Sequence, residues 1–132
     1  MAQQKIRIPL PKSLSDSERA ILGQKIAEFI KDRTREGTGF RATTGRNYNL
    51  GSIPYSKDYA ERKGVSRSDV DLTLEGTMLD SIEHLPTTSR DSITVGFSPG
   101  EENEKAEGNA KVHGRPFLGL LKKDLERLMG EL

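Results

Sequence analysis

The sequence predicts an α+β fold: a small, mainly antiparallel sheet flanked by a long N-terminal helix and a C-terminal helix. Three observations carry that prediction. A capped amphipathic helix stands near the start, the segment "SITVGF" alternates in the manner of a strand, and leucines at helical spacing end the chain. At 132 residues the chain reads as a single domain, large enough for one modest core.

"KIRIPLPK" alternates Ile6, Ile8 and Leu10 with basic or proline positions, so residues 1–14 suit an edge strand or an extended arm. "SDSE" from Ser15 to Glu18 has the form of a capping box, in which hydroxyl and carboxylate satisfy each other's free backbone donors. Leu22, Ile26, Phe29 and Ile30 then follow at helical spacing, which predicts a helix over 16–36 closed by Gly37. "GTGFRATTGRNYNLG", residues 37–51, has no apolar period and is expected to be a long exposed loop, ordered only against a neighbour. "YSKDYAERKG" predicts a short helix capped at Ser56 and stopped at Gly64.

Further on, "VDLTL" alternates Val70, Leu72 and Leu74, and Gly76 opens "TMLDSI", a short helical turn. Ile93, Val95 and Phe97 alternate in the clearest strand of the chain. "EENEKAEGN" reads as a surface helix or a loop. Pro116 suits the first position of the last helix, where a missing donor costs nothing. Leu118, Leu121, Leu125, Leu128 and Leu132 would then form one stripe down that helix.

Composition argues against several classes of function. The apolar share of 33% is low and the charged share of 31% high, which suits a chain that gains stability by assembling. A net charge of +1 gives no global case for nucleic acid or membrane. The absence of cysteine leaves no disulfide framework and no thiolate zinc site. Lys5 and Arg7 lead into "IPLPKSLSD", not into the apolar run of a signal peptide, and no stretch approaches the ~20 apolar residues of a membrane span. The expectation is a soluble protein made inside a cell.

Catalytic chemistry finds no constellation. His84 and His113 are the only histidines, far apart and in no metal-ligand spacing, and His113 reads as a surface loop residue. "GTGFRATTG" lacks the Lys-Ser/Thr pair of a phosphate cradle. The reading is therefore of a protein that is not an enzyme and needs no cofactor or metal. Local charge says more. Arg41, Arg46, Lys57, Arg62 and Lys63 lie in a basic segment, 31–67, interleaved with Phe40, Tyr48, Tyr55 and Tyr59. Such a segment could form a small nucleic-acid-binding module, with cations on phosphates and rings on bases, or a solvated face whose rings anchor loops. The acidic run Glu101, Glu102, Glu104 and Glu107 could meet the basic segment of a neighbouring copy, head to tail.

Taken together, "YSKDYAERKG…VDLTLEGTMLDSI", "ITVGF" and "GRPFLGLLKKDLERL" resemble the tail completion family of tailed bacteriophages, also called virion morphogenesis proteins. The matching positions are Tyr55, Tyr59, Lys63 and Gly64, then Leu72, Thr73, Gly76, Met78, Ser81 and Ile82. Val95 and Gly96 follow, and then Arg115, Pro116, Phe117, Leu118 and Gly119. Lys105 and Ala106 stand where family members commonly carry Tyr-Ala. The resemblance covers about residues 50–132.

What it implies is a structural subunit of the virion neck, of the tail completion or tail terminator type, made in the bacterial host cytoplasm. It would form a ring, expected to be a hexamer, between neighbouring neck, portal-side and tail tube proteins. Genomic DNA would pass through the ring without sequence-specific recognition. Arg115, Pro116, Phe117, Leu118, Leu121 and Leu125 would be the hinge and the docking surface of the last helix. Arg41, Arg46, Tyr48, Lys57, Arg62 and Lys63 would be the candidates for facing a neighbour or the channel.

Overall fold

The computed structural model of the protein describes residues 3–68, 70, 78–86 and 90–132. Its first strand, β1 (Lys5–Pro9), turns the N-terminal arm into the edge of a sheet. Pro9 is tolerated there because an edge strand has one row of donors with no ladder to fill. Helix α1 (Asp16–Arg35) starts at the expected capping box: Ser15 accepts from the Glu18 backbone, and Glu18 returns the bond to the Ser15 N–H. That bond to Ser15 also holds the Glu18 carboxyl below its ordinary pKa.

The segment expected to be a loop, 37–51, is instead a hairpin. Strands β2 (Thr38–Arg41) and β3 (Arg46–Asn49) pair antiparallel, from Thr38 opposite Asn49 to Arg41 opposite Arg46. Helix α2 (Lys57–Lys63) follows with its cap at Ser56 and its stop at a left-handed Gly64, as predicted. Val70 is buried, while Leu72, Leu74 and Gly76 lie outside the described residues. Leu79–Ser81 form a single 3-10 turn.

Strands β4 (Glu83–Leu85) and β5 (Ser92–Gly96) complete a three-stranded antiparallel sheet in the order β1-β5-β4. The clearest strand of the sequence is thus the central one, and Ile93 and Val95 are fully buried. Helix α3 (Glu101–Glu107) settles the acidic stretch as a helix, which continues into a π-helical turn over 108–112.

The last helix, α4 (Lys122–Gly130), starts six residues later than Pro116 suggests. Residues 114–121 form neither helix nor strand. They run as a strap across the molecule, with Arg115, Phe117 and Gly119 buried and Pro116, Leu118 and Leu120 half-buried. This is a period of two, and the apparent leucine stripe spans a strap and a helix. Leu121 is the N-cap of α4, Leu125 packs at the edge of the core, Leu128 is buried, and Leu132 is exposed.

Helix α1 organises the core. Leu22, Ile26 and Ile30 face Ile8, Ile93 and Val95, and the same helix contacts β2 and α4. Gly23 has a specific reason to interrupt this helix. A Cβ there would fall 2.5 Å from the His84 ring, so glycine lets β4 approach α1 closely. That closeness offsets the ~1 kcal/mol a glycine costs within a helix. None of the described helices is long and apolar enough to cross a membrane.

Candidate functional site

The strap meets the hairpin where buried charge and aromatic rings converge. Arg115 is 6% exposed, and among the described residues it forms no ion pair with a carboxylate. Its Nε donates to the Ile53 carbonyl at 2.9 Å and its Nη2 to the Pro54 carbonyl at 3.0 Å, with the guanidinium 5.0 Å from the Tyr55 ring centroid. The Arg115 backbone N–H donates to Asn109 at 2.7 Å, which ties the strap to the π-helical turn. Arg115 therefore fixes the entry to α2 from behind.

Pro116 contributes its carbonyl. That oxygen accepts from the Phe40 N–H at 3.3 Å and the Tyr48 hydroxyl at 2.7 Å, and so binds both strands of the hairpin. Burial pushes the Tyr48 phenol up to about 12, against the opposing pull of Arg41, Arg115 and Arg33. Phe117 is buried and meets Phe97 edge to face, with centroids 6.2 Å apart. This anchors the strap to the end of β5. Leu118 packs against the core, and Leu121 is half-buried at the start of α4.

Arg33 is the member of this site that sequence reasoning missed. It donates through Nη1 to Gly119 at 2.5 Å and through Nη2 to the Phe117 carbonyl. Its guanidinium lies 5.8 Å from the Phe29 centroid and 5.9 Å from that of Phe40. Burial lowers its pKa to about 10, with Asp124 acting in the other direction. A signal was present: Arg33 stands seven residues after Ile26 on the apolar face of α1, a position where a charge needs a buried partner. Gly119 completes the fit. Its φ is +133°, and a Cβ there would enter the Phe40 ring.

The predicted interface residues divide between two elements, the hairpin and α2. Arg41 and Tyr48 come together, with the Arg41 guanidinium 4.3 Å from the Tyr48 centroid, and Arg46 is exposed opposite Arg41 beside the turn. Lys57, Arg62 and Lys63 are exposed on α2, where Arg62 and Lys63 flank the Tyr59 ring at 5.8 and 6.0 Å. The rings of the basic segment are therefore engaged within the chain. Phe40 and Tyr55 are buried, Tyr48 carries Arg41, and Tyr59 packs 4.9 Å from Tyr55. His113 is exposed, and among the described residues no cluster of His, Asp and Glu could hold a metal ion.

Comparison of the chain with protein-family models, curated proteins and solved structures found no match.

Proposed function

We propose that the protein is a structural subunit of the neck of a tailed-phage virion, of the tail completion or tail terminator type. In this reading it forms a ring, with six copies to match a tail tube, that joins head to tail around the DNA channel. The observation that carries the proposal is the strap. Arg115, Pro116, Phe117 and Gly119, which are among the residues behind the family resemblance, fasten the hairpin and α2 to the core. Buried polar groups are spent on holding two surface elements in fixed relation, as suits a subunit whose task is to present a shaped surface to neighbours.

The hairpin turn with Arg46, together with Lys57, Arg62 and Lys63, supplies exposed cations for a neighbour or for passing DNA. With Phe40 and Tyr55 buried and Tyr48 and Tyr59 engaged by cations of this chain, their contact with DNA would be with phosphates and independent of sequence.

The test uses particles assembled without this protein. Heads and tails made in its absence should remain unjoined, and adding the purified chain should restore joined, infectious particles in electron micrographs. Full joining in its absence would refute the proposal. Tight binding of the isolated chain to duplex DNA, with a steep salt dependence, would favour the nucleic-acid module instead.

A further inference from the structure

Opposite ends of the three-stranded sheet carry opposite charge. Where β4 ends and β5 begins, Asp16, Arg19 and Ala20 of α1 line a pocket with His84, Leu85 and Arg90. Arg90 reaches the Asp16 Oδ1 at 3.2 Å, and Arg19 reaches the same oxygen at 3.5 Å. Arg19 is held in place by donating to the Ser92 carbonyl at 2.7 Å. Burial first, and then Arg19, keep the His84 imidazole below its ordinary pKa. Arg7 pairs with Asp91 at 3.5 Å at the same end, so with His84 neutral Arg7, Arg19 and Arg90 face Asp16 and Asp91, and one net positive charge remains.

At the other end of the same strands, Glu83, Phe97, Ser98, Glu101 and Glu102 line a second pocket. Lys105 lies 3.1 Å from Glu102 and 3.7 Å from Glu101, and Glu83 accepts from the Ser98 hydroxyl at 2.7 Å. Three carboxylates face the Lys105 ammonium, with Lys5 opposite Gly96 on the edge strand as a second cation, which leaves one net negative charge. The five residues of β5 hold the two ends about 15 Å apart, beyond ion-pair reach within one chain.

We infer that these ends are the two halves of a head-to-tail contact between copies of this chain, in which Glu83 and Glu101 of one copy enter the Arg19–Arg90 pocket of the next. This rests on the ring reading and supplies its subunit contact. The Asp16 oxygen already shows that a carboxylate can reach both guanidinium groups at once. A heterologous contact of this kind closes into a ring when its rotation permits. The acidic run of α3 thus finds its complement at Arg19 and Arg90, outside the 31–67 segment that the sequence offered.

The test is a charge exchange in the full-length chain, followed by sedimentation velocity at low and high salt. Arg90 and Glu101 have exposed side chains, so Arg90→Glu and Glu101→Arg should leave the fold unchanged by circular dichroism. Each variant alone opposes like charges and should assemble at least about tenfold less tightly than the native chain. An equimolar mixture of the two can alternate around an even-numbered ring with every contact joining unlike charges. It should assemble within about threefold of the native chain, because paired reversal restores complementarity.

A mixture no tighter than its components would overturn the inference, as would either variant assembling like the native chain. A native chain that stays monomeric throughout would overturn it too. The two proposals fail separately. Arg90→Glu protein that assembles normally and still joins heads to tails would remove this contact and leave the neck reading standing. A mixture that regains assembly while the native chain fails to join particles would do the reverse.

Discussion

The three-stranded sheet and the β2–β3 hairpin sit on the same helix but are held to it by different means. The sheet is fastened by apolar burial, with Ile8, Ile93 and Val95 packed on Leu22, Ile26 and Ile30. Such burial stabilises by about 1.5–3 kcal/mol per side chain and is indifferent to direction. Among the hairpin residues, only Gly39 and Phe40 are buried. It is held instead by directed bonds to the strap, from Phe40 and Tyr48 to Pro116, while Arg33 fixes the strap to α1. An element secured by a few aimed polar contacts keeps its position without a core of its own. It can therefore leave its outer surface polar for a partner.

Variants can probe that difference. Phe117 stands where the two regions meet, so Phe117→Ala should cost about 3–5 kcal/mol in urea unfolding and loosen both. A cost under ~1 kcal/mol would mean that the strap is not anchored at Phe97. Arg33→Met removes the donors to Phe117 and Gly119 and keeps much of the side-chain volume. Hydrogen bonds from charged groups are worth about 1.5–3 kcal/mol each, set against the cost of burying the guanidinium, so a net loss of ~2 kcal/mol is expected. Near-neutral Arg33→Met stability would show that desolvation cancels those bonds.

Tyr48→Phe removes one hydrogen bond from the hairpin side alone. It should cost about 1 kcal/mol, with Arg41 still stacked on the ring. Loss of the three-stranded sheet in this variant would contradict the division between the two regions.

The same difference explains what could be read from the sequence. Helix α1 was legible from Ser15, Glu18 and the spacing of its apolar residues, α2 from Ser56 and Gly64, and β5 from Ile93, Val95 and Phe97. These signals are local or periodic. The hairpin offered no such period, because its residues Thr38, Arg41, Arg46, Asn47 and Asn49 need no apolar face. Its one local cue was Gly45, in the left-handed conformation that a short hairpin loop requires.

The strap was misread for a related reason. Its inward positions are Arg115, Phe117 and Gly119, so the alternation is hidden by one charged residue and one without a side chain. Meanwhile Leu118, Leu121 and Leu125 happen to fall at helical spacing. Arg115 and Phe117 were legible as important residues, but their partners were not. Ile53, Pro54 and Phe97 are remote in sequence, and the carbonyls that receive Arg115 carry no side-chain signature.

The central claim is that the strap, acting through aimed polar contacts, holds the hairpin as an ordered element of the free subunit. Hydrogen exchange of the native chain and of Tyr48→Phe tests it most directly. In the native chain the Phe40 and Leu50 amides, bonded to Pro116 and Gly37, should be protected. In Tyr48→Phe the Phe40 amide should exchange about fivefold faster, the factor for a loss of ~1 kcal/mol, while Val95 in the central strand keeps its native rate. A hairpin that exchanges like an unstructured loop in the native chain would contradict the claim, as would equal acceleration of Phe40 and Val95 in the variant.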